Sequence, residues 1–211
     1  ESVRAGLVWM FEGMGGEGEF VYYNFGHSDF HQSIIDEVLK DYPGIQATSM
    51  PADYEGNSFD EESIKSMVES DPNLGAIWSN ENTGSIFWGV NNAQSENFPL
   101  ILCDARLDFL QPWKNLLESR PDFKCYSTIK PGGTAYEGVY VAYYILTGEE
   151  INPAALGGAS KNTFIYDYPI ITNENLDEWL AKADTLRKGE WDYLELPPMT
   201  PEEIKEKWFN E

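Results

Sequence analysis

The stretch that decides the fold begins Leu74-Gly-Ala-Ile-Trp-Ser-Asn-Glu81, continues with an amphipathic segment at 84–90, and ends Phe98-Pro-Leu-Ile-Leu-Cys-Asp104. Two short apolar runs therefore flank a helical pattern, and each run ends in a carboxylate. This order is typical of a parallel strand–helix–strand crossover. Because ligands gather beyond the carboxyl ends of the strands in an open parallel sheet, we expect a ligand site near Glu81 and Asp104.

The rest of the chain continues the same alternation of strand and helix. The capping-box sequence Thr200-Pro-Glu-Glu203 predicts the start of a short helix at 204–209 in the tail. We predict an α/β fold, an open doubly wound parallel sheet with a C-terminal helical extension. The predicted helices cover 5–11, 30–39, the segment between a capping box at 58–61 and a stop at 71–73, 84–90, 107–117, 136–146 and 176–186. The predicted strands cover 19–24, 45–50, 74–79, 98–103, 123–129 and 163–171, the last as one strand or a pair.

The amino-acid composition and net charge limit the kinds of molecule that this chain is expected to bind. With 42% hydrophobic and 14% aromatic residues, 211 residues suffice for one α/β domain with a sizeable core. The 36 acidic and 14 basic residues give a formal charge of −22. Binding to a phosphate backbone depends on clusters of Lys and Arg, so we predict no nucleic-acid partner.

The two cysteines, Cys103 and Cys125, fall on neighbouring predicted strands. If Asp104 and Ile129 mark the ends of these strands, Cys125 pairs near Leu100. The backbones of the two cysteines are then roughly 10 Å apart, at about 3.3 Å per residue. That separation is too long for a disulfide, so none is predicted, and the cysteines do not decide between cytosol and exterior.

The chain begins Glu1-Ser-Val-Arg4, without Met and inside a helical pattern. This start lacks the charged and apolar regions of a signal peptide, and no apolar run has the length of a membrane span. We interpret the chain as a fragment or a mature segment of a longer protein.

The three alternating polar residues His27, Asp29 and His31 are the first candidate for a metal site. Positions two apart on a helix point to nearly opposite sides, and no cysteine or fourth ligand accompanies them. We therefore predict no metal here and place these polar groups at the mouth of the first strand-to-helix loop. Phe30, at the same junction, is either a stacking surface for a ligand or part of the core.

Glu81 and Asp104 also form a candidate catalytic pair, since adjacent strands lie about 4.8 Å apart. Carboxylates at strand ends serve equally well as acceptors for ligand hydroxyl groups, and we favour that interpretation. The sequence contains no nucleophile elbow, phosphate loop or dinucleotide fingerprint. We predict a protein that is not an enzyme and has no cofactor, with a saccharide-processing enzyme using Glu81 and Asp104 as an alternative.

Several short motifs occur in an order and spacing that resemble one family. The chain is similar to the C-terminal lobe of type I periplasmic substrate-binding proteins, the ribose-binding-like sugar receptors of ABC importers. The motifs are Gly15-Gly-Glu-Gly, Gly26-His-Ser-Asp, Tyr42-Pro-Gly-Ile, Asp71-Pro-Asn-Leu-Gly-Ala-Ile-Trp-Ser-Asn-Glu-Asn, Leu102-Cys-Asp-Ala, Lys130-Pro, Thr147-Gly-Glu and Pro169-Ile-Ile-Thr-Asn-Glu-Asn-Leu-Asp-Glu-Trp.

The resemblance implies a division of the chain. Residues 1–186 would form the C-terminal lobe, with 132–165 normally contributing to an N-terminal lobe that would precede Glu1, and 187–211 would form a tail with a short helix. The helix at 136–146 would then have an uncovered apolar face. We expect this face either to fold back on the lobe or to be buried in a homodimer.

The resemblance also implies a function, an extracytoplasmic solute-binding component that delivers a small polar ligand, expected to be a sugar, to an ABC permease. The family's ligand positions match His31 with Asp29 beside it, Glu81, Asp104 and Ile129, of which Asp104 alone keeps the usual residue type. A second alternative is the effector-binding core of a lactose-repressor-like regulator. The predicted ligand-binding residues are Asp29, Phe30, His31, Glu81, Asn82, Asp104 and Arg106.

Overall fold

In a computed structural model, the described residues are 2–51, 59–158, 160–166, 168–188 and 192–210. The helices are α1 (Ser2–Gly13), α2 (Asp29–Leu39), α3 (Glu61–Ser70), α4 (Thr83–Asn92), α5 (Leu107–Ser119), α6 (Thr134–Leu146), α7 (Leu176–Leu186) and α8 (Pro201–Trp208). The strands are β1 (Glu17–Tyr23), β2 (Gly44–Met50), β3 (Leu74–Ser79), β4 (Leu100–Leu102), β5 (Cys125–Thr128), β6 (Lys130–Pro131), β7 (Leu156–Gly157), β8 (Thr163–Phe164), β9 (Ile170–Ile171), β10 (Arg187–Lys188) and β11 (Tyr193–Leu196). Within the described ranges, no helix is long and apolar enough to cross a membrane.

The main sheet has six strands in the order β2-β1-β3-β4-β5-β9. Strands β1 to β5 are parallel to their neighbours, and β9 joins the edge antiparallel to β5. The prediction of an open, doubly wound and mainly parallel sheet is confirmed. All the parallel strands end at one edge, which is where such a sheet binds its ligands.

Helices cover both faces of this sheet, because its strands carry apolar side chains on both sides. In β1, Phe20 and Tyr22 belong to one buried cluster, whereas Val21 and Tyr23 belong to another. The first cluster packs against α1 and α2, and the second against α3, α4, α5 and α7. Successive residues of β1 therefore point to opposite faces of the sheet, as the two-residue period of a strand requires.

A third apolar cluster lies between α6 and the tail. Ile204, Trp208 and Phe209 are buried there against one side of α6, and the ring of Phe164 stacks on Trp208 at 4.6 Å. The Thr200 capping box begins α8 as the sequence predicts. The tail thus folds back on one side of α6, while the side chains of Tyr136, Val139, Tyr143 and Leu146 on this helix are exposed.

A buried carboxylate connects the parts of this third cluster. Glu137, at the start of α6, is only 2% exposed. Its side chain accepts hydrogen bonds from the Tyr166 hydroxyl at 2.5 Å and from the Met199 N–H at 2.8 Å. Burial, together with this carboxylate, raises the pKa of Tyr166, so the phenol remains a donor. The charge on Glu137 is therefore paired with two donors from other segments.

The prediction that Cys103 and Cys125 lie too far apart for a disulfide is wrong. The two residues form a disulfide, with their Cα atoms 6.2 Å apart. The sheet register pairs Ile101 with Cys125, one residue beyond the pairing that the sequence suggested. Cys103 then lies two residues along the same side of the neighbouring strand, a diagonal position within the usual range for a disulfide.

Candidate functional site

A cavity of about 220 Å³ opens at the carboxyl ends of β3, β4 and β5. Ligand pockets that enclose a whole small molecule have volumes of about 300–1,000 Å³. The volume of this cavity is below that range, as expected of a cavity that forms one side of a larger site. It is lined by Ser2, Val3, His31, Trp78, Ser79, Asn80, Thr83, Leu102, Cys103, Asp104, Tyr126, Ser127, Thr128 and Lys130.

Asn80 joins two loops at the edge of the sheet where the cavity lies. Its side-chain oxygen accepts a hydrogen bond from the Phe25 N–H at 2.8 Å, and its side-chain amide donates to the Phe25 carbonyl at 3.1 Å. These two bonds join the loops that follow β1 and β3, although the residues are 55 positions apart in sequence. The turn after β3 is held by Ser79, whose hydroxyl donates to the Glu81 carbonyl at 2.5 Å.

In the part of the chain that the structure describes, four polar atoms of cavity-lining residues are buried without a hydrogen-bond partner. They are His31 Nδ1, Thr83 Oγ1, the Tyr126 hydroxyl and Ser127 Oγ. A buried polar group without a partner costs about 1–3 kcal/mol, so native proteins rarely keep several at one place without a functional reason. The four come from α2, the start of α4 and β5, and together they supply both donors and acceptors.

His31 is placed in the cavity by the first turn of α2. The Ser28 side chain caps this helix by accepting a hydrogen bond from the His31 N–H at 3.4 Å. The imidazole lies edge-on to the buried Trp78 ring, with centroids 5.8 Å apart. Burial lowers the pKa of His31, and the nearby charge of Glu81 opposes this only in part. The imidazole is therefore neutral near pH 7, with one nitrogen able to donate and the other to accept.

Asp104 follows β4 and, of the described residues that line the cavity, is the only carboxylate. It accepts a long hydrogen bond, 3.4 Å, from the hydroxyl of Tyr193 in β11. The Arg106 guanidinium and the Lys130 ammonium lie 5.3 Å and 4.8 Å from the centroid of the Tyr193 ring. Burial and the charge of Asp104 raise the pKa of Tyr193, so it remains a phenol that can donate to Asp104.

The structure places the predicted site residues in three groups. His31 and Asp104 line the cavity. Glu81 and Asn82 are exposed in the turn after β3, between the lining residues Asn80 and Thr83, and Arg106 forms an ion pair with Asp108 below the rim. Asp29 lies in a separate groove with Gln32 and Met50, and Phe30 is 66% exposed, so it is not a core residue. That these seven residues bind a ligand stays a prediction.

Several other residues that line the cavity are not among the predicted ligand-binding residues. Asn80 and Thr83 adjoin predicted residues, and their role depends on which way the turn after β3 faces. Tyr126 and Ser127 belong to β5, whose position beside β4 was predicted but whose register was not. Lys130 follows the same strand, at the motif Lys130-Pro that the sequence had singled out.

The chemistry of the cavity suits a neutral ligand rich in hydroxyl groups. One carboxylate, one ammonium and several neutral donors and acceptors line it. Among the side chains that the structure describes, which do not include that of His27, no group of three or more His, Cys, Asp or Glu residues could hold a metal ion.

Comparison with solved structures identifies the fold. The chain is similar to an ABC transporter solute-binding protein from Thermobispora bispora, with 12% identity and a TM-score of 0.64, over 98% of this chain and 61% of that one. It is also similar to a solute-binding protein from Agrobacterium vitis bound to α-D-tagatopyranose (16% identity, TM-score 0.54, 82% and 56%) and to a glucose-galactose binding protein from Geobacillus stearothermophilus (13%, 0.55, 82% and 59%).

The chain thus spans about three fifths of the length of these structures. At such low identity, the similarity establishes the fold, which is that of the class the sequence motifs resemble. No protein-family model matches the chain. No curated protein sequence matches it either.

Proposed function

We propose that this chain is one lobe of an extracytoplasmic sugar receptor that serves an ABC permease. The observation that carries the proposal is the set of four unpartnered polar atoms beside Asp104, at the edge of the sheet where ligands bind. Sugar hydroxyl groups both donate and accept, and a carboxylate is a strong acceptor for them. The wall would bind one side of a sugar without chemical change, and a second lobe would close over the other side.

Three further observations support this proposal. The disulfide between Cys103 and Cys125 favours an oxidising compartment outside the cytoplasm. Glu81 does not line the cavity with Asp104, so the geometry favours binding over catalysis by two carboxylates. Two of the structural neighbours named above are described as ABC transporter solute-binding proteins, and two of the three have a sugar in their description.

Thermal unfolding in the presence of D-tagatose, D-glucose, D-galactose, D-fructose and L-arabinose tests the proposal. A sugar that binds the folded state raises its stability, by about 2.7 kcal/mol at a hundred times the dissociation constant. We expect at least one sugar to raise the midpoint of the wild-type chain. Loss of a charge-assisted hydrogen bond costs about 1.5–3 kcal/mol, so Asp104→Asn should weaken that sugar by roughly 10- to 100-fold.

Asp41→Asn is the matched control, since Asp41 is exposed and lies outside the cavity. It removes the same charge from the chain and should leave the sugar response unchanged. Equal loss of the response in both variants would attribute it to net charge. If no sugar shifts the wild-type midpoint, this lobe does not bind sugars at the cavity. Turnover of a chromogenic glycoside that Asp104→Asn abolishes would instead support an enzyme.

A further inference from the structure

The disulfide lies in the wall of the cavity. Cys103 is one of the lining residues and is 6% exposed, whereas Cys125 is fully buried behind it. Each cysteine directly precedes residues of the candidate site, since Asp104 follows the first and Tyr126 follows the second. The crosslink therefore joins the two strand ends that carry Asp104, Tyr126 and Ser127, all of which line the cavity.

On their outer sides these strand ends are supported by β9, which pairs with β5, and by the Leu194 N–H, which donates to the Ala105 carbonyl at 2.7 Å, but β4 and β5 are paired with each other over few residues. Strand β4 is only three residues long, and it pairs through two residues with β3 and through two with β5. Beyond these pairs, the Cys103 N–H donates to the Tyr126 carbonyl at 2.8 Å. A short strand with few ladder bonds can open locally at low cost in free energy. The disulfide is the covalent bond that holds the strand ends together at that point.

We propose that the Cys103–Cys125 disulfide positions Asp104, Tyr126 and Ser127 for ligand binding, so that its reduction weakens the binding of sugars at this cavity. The proposal rests on the proposed function and adds a redox dependence to it. Cys103 lines the cavity and Cys125 lies behind it, and the role proposed for their crosslink is to position Asp104, Tyr126 and Ser127.

The reduction itself is an ordinary thiol–disulfide exchange with an added dithiol. A dithiol thiolate attacks Cys103 Sγ, the sulfur on the cavity side, and Cys125 leaves as a thiolate that takes up a proton. The second thiol of the reagent then displaces Cys103, which also takes up a proton. The protein gains two electrons and two protons, and the reagent leaves as its cyclic disulfide.

Thermodynamic linkage makes the coupling reciprocal. If reduction weakens sugar binding by a given factor, the bound sugar must make the disulfide harder to reduce by the same factor. A sugar in the cavity would also cover Cys103 and slow the attack. Couplings between sites typically change affinity by about 5- to 150-fold, so we expect roughly tenfold weaker binding after reduction.

The first experiment needs no sugar. Hydrogen exchange is followed by mass spectrometry on the full chain, oxidised and after reduction and alkylation with a small reagent. We expect exchange to rise at least about tenfold at 103–106 and 126–129, with α7 and α8 unchanged. Unchanged exchange at those segments, or an equal rise throughout the sheet, would overturn the positioning role. A Cys103→Ala, Cys125→Ala double variant should show the same local rise without any reductant.

The second experiment measures binding of the same five sugars to the oxidised chain, the reduced chain and the double variant. We expect about tenfold weaker binding in the reduced chain and no effect of reductant on the double variant. Equal affinity before and after reduction would refute the coupling. If no sugar binds even the oxidised chain, the proposed function fails, whereas the exchange experiment still decides whether the disulfide orders this edge.

Discussion

At the scale of single residues, His31 makes the stability of the chain depend on pH. Burial lowers its pKa in the folded state below the value of about 6.5 that it has when unfolded. Between these two values the unfolded chain binds more protons, so stability falls as the pH drops through about 6.5 and levels off below the folded-state pKa. We expect the thermal midpoint of the wild type to fall over this window by more than that of His31→Gln.

The comparison is made by thermal unfolding from about pH 8 to about pH 5, the range in which histidine titrates. His31→Gln keeps a polar side chain that can donate and accept but does not titrate, so the difference between the two curves isolates the imidazole. Curves that run parallel would show that His31 carries no net pKa shift in the folded chain. A wild type that gains stability relative to the variant at low pH would show that the attraction of Glu81 dominates.

Sequence patterns locate residues of the candidate site only as far as local structure determines them. Asp104 could be predicted because it follows the end of an apolar strand, and His31 because the family resemblance places a ligand residue in the first strand-to-helix loop. Tyr193 could not, since it reaches Asp104 from 89 positions away through a strand with no clear periodicity. Similarly, Glu81 and Asn80 are neighbours in one turn, and periodicity does not reveal which of the two faces the cavity.

At the scale of elements, Gly89 sets how closely α4 approaches α3. A Cβ at this position would lie 2.6 Å from Ile64 Cβ and 2.8 Å from the Glu61 carbonyl oxygen, too close to be relieved by a side-chain rotation. We expect Gly89→Ala to destabilise the chain by about 1–3 kcal/mol through overpacking. Urea unfolding followed by circular dichroism measures the change.

Gly138 in α6 provides the matched control, since a Cβ there would meet nothing within 4 Å. The same substitution at this exposed helical position should stabilise the chain by about 0.5–1 kcal/mol, because alanine loses less backbone entropy than glycine. If Gly89→Ala also stabilises, the two helices can move apart freely and their spacing is not fixed by this contact.

The elements that sequence predicted best are those with several apolar residues in a regular period. Helix α7 begins and ends at the predicted residues, and the pairs of short strands at 163–171 were anticipated. The strands β6, β10 and β11 were not, because two to four residues are too few to show a period of two. The disulfide was missed because an error of one residue in the register of β4 and β5 changes the predicted separation of the cysteines by about 3.3 Å.

At the scale of the whole molecule, the buried apolar side chains of the described residues form three clusters, and the one between α6 and α8 shares no residue with the two that flank the main sheet. The hydrogen bonds of Glu137 to Tyr166 and Met199 lie within this third cluster, because both of these residues pack against it. Units with few shared contacts can unfold separately. We infer that α6 and α8 form a cooperative unit of their own.

Two tryptophans of similar burial test this inference. Trp208 is 2% exposed and belongs to the cluster between α6 and α8, whereas Trp113 is fully buried in the cluster beneath α4, α5 and α7. Truncation of a buried tryptophan to alanine typically costs about 3–5 kcal/mol. We expect Trp208→Ala to lose hydrogen-exchange protection at α6 and α8 alone. Trp113→Ala should lose it across β1, β3, β4 and β5, as measured by native-state exchange.

The sugar response separates the two variants further. None of the buried residues of the cluster between α6 and α8 lines the cavity, so Trp208→Ala should retain the stabilisation by sugar that the wild type shows. Trp113→Ala should lose part of it, because the strands that end at the cavity pack against that core. The same pattern of lost protection in both variants would mean that the chain unfolds as one unit and that α6 and α8 do not open separately from the sheet.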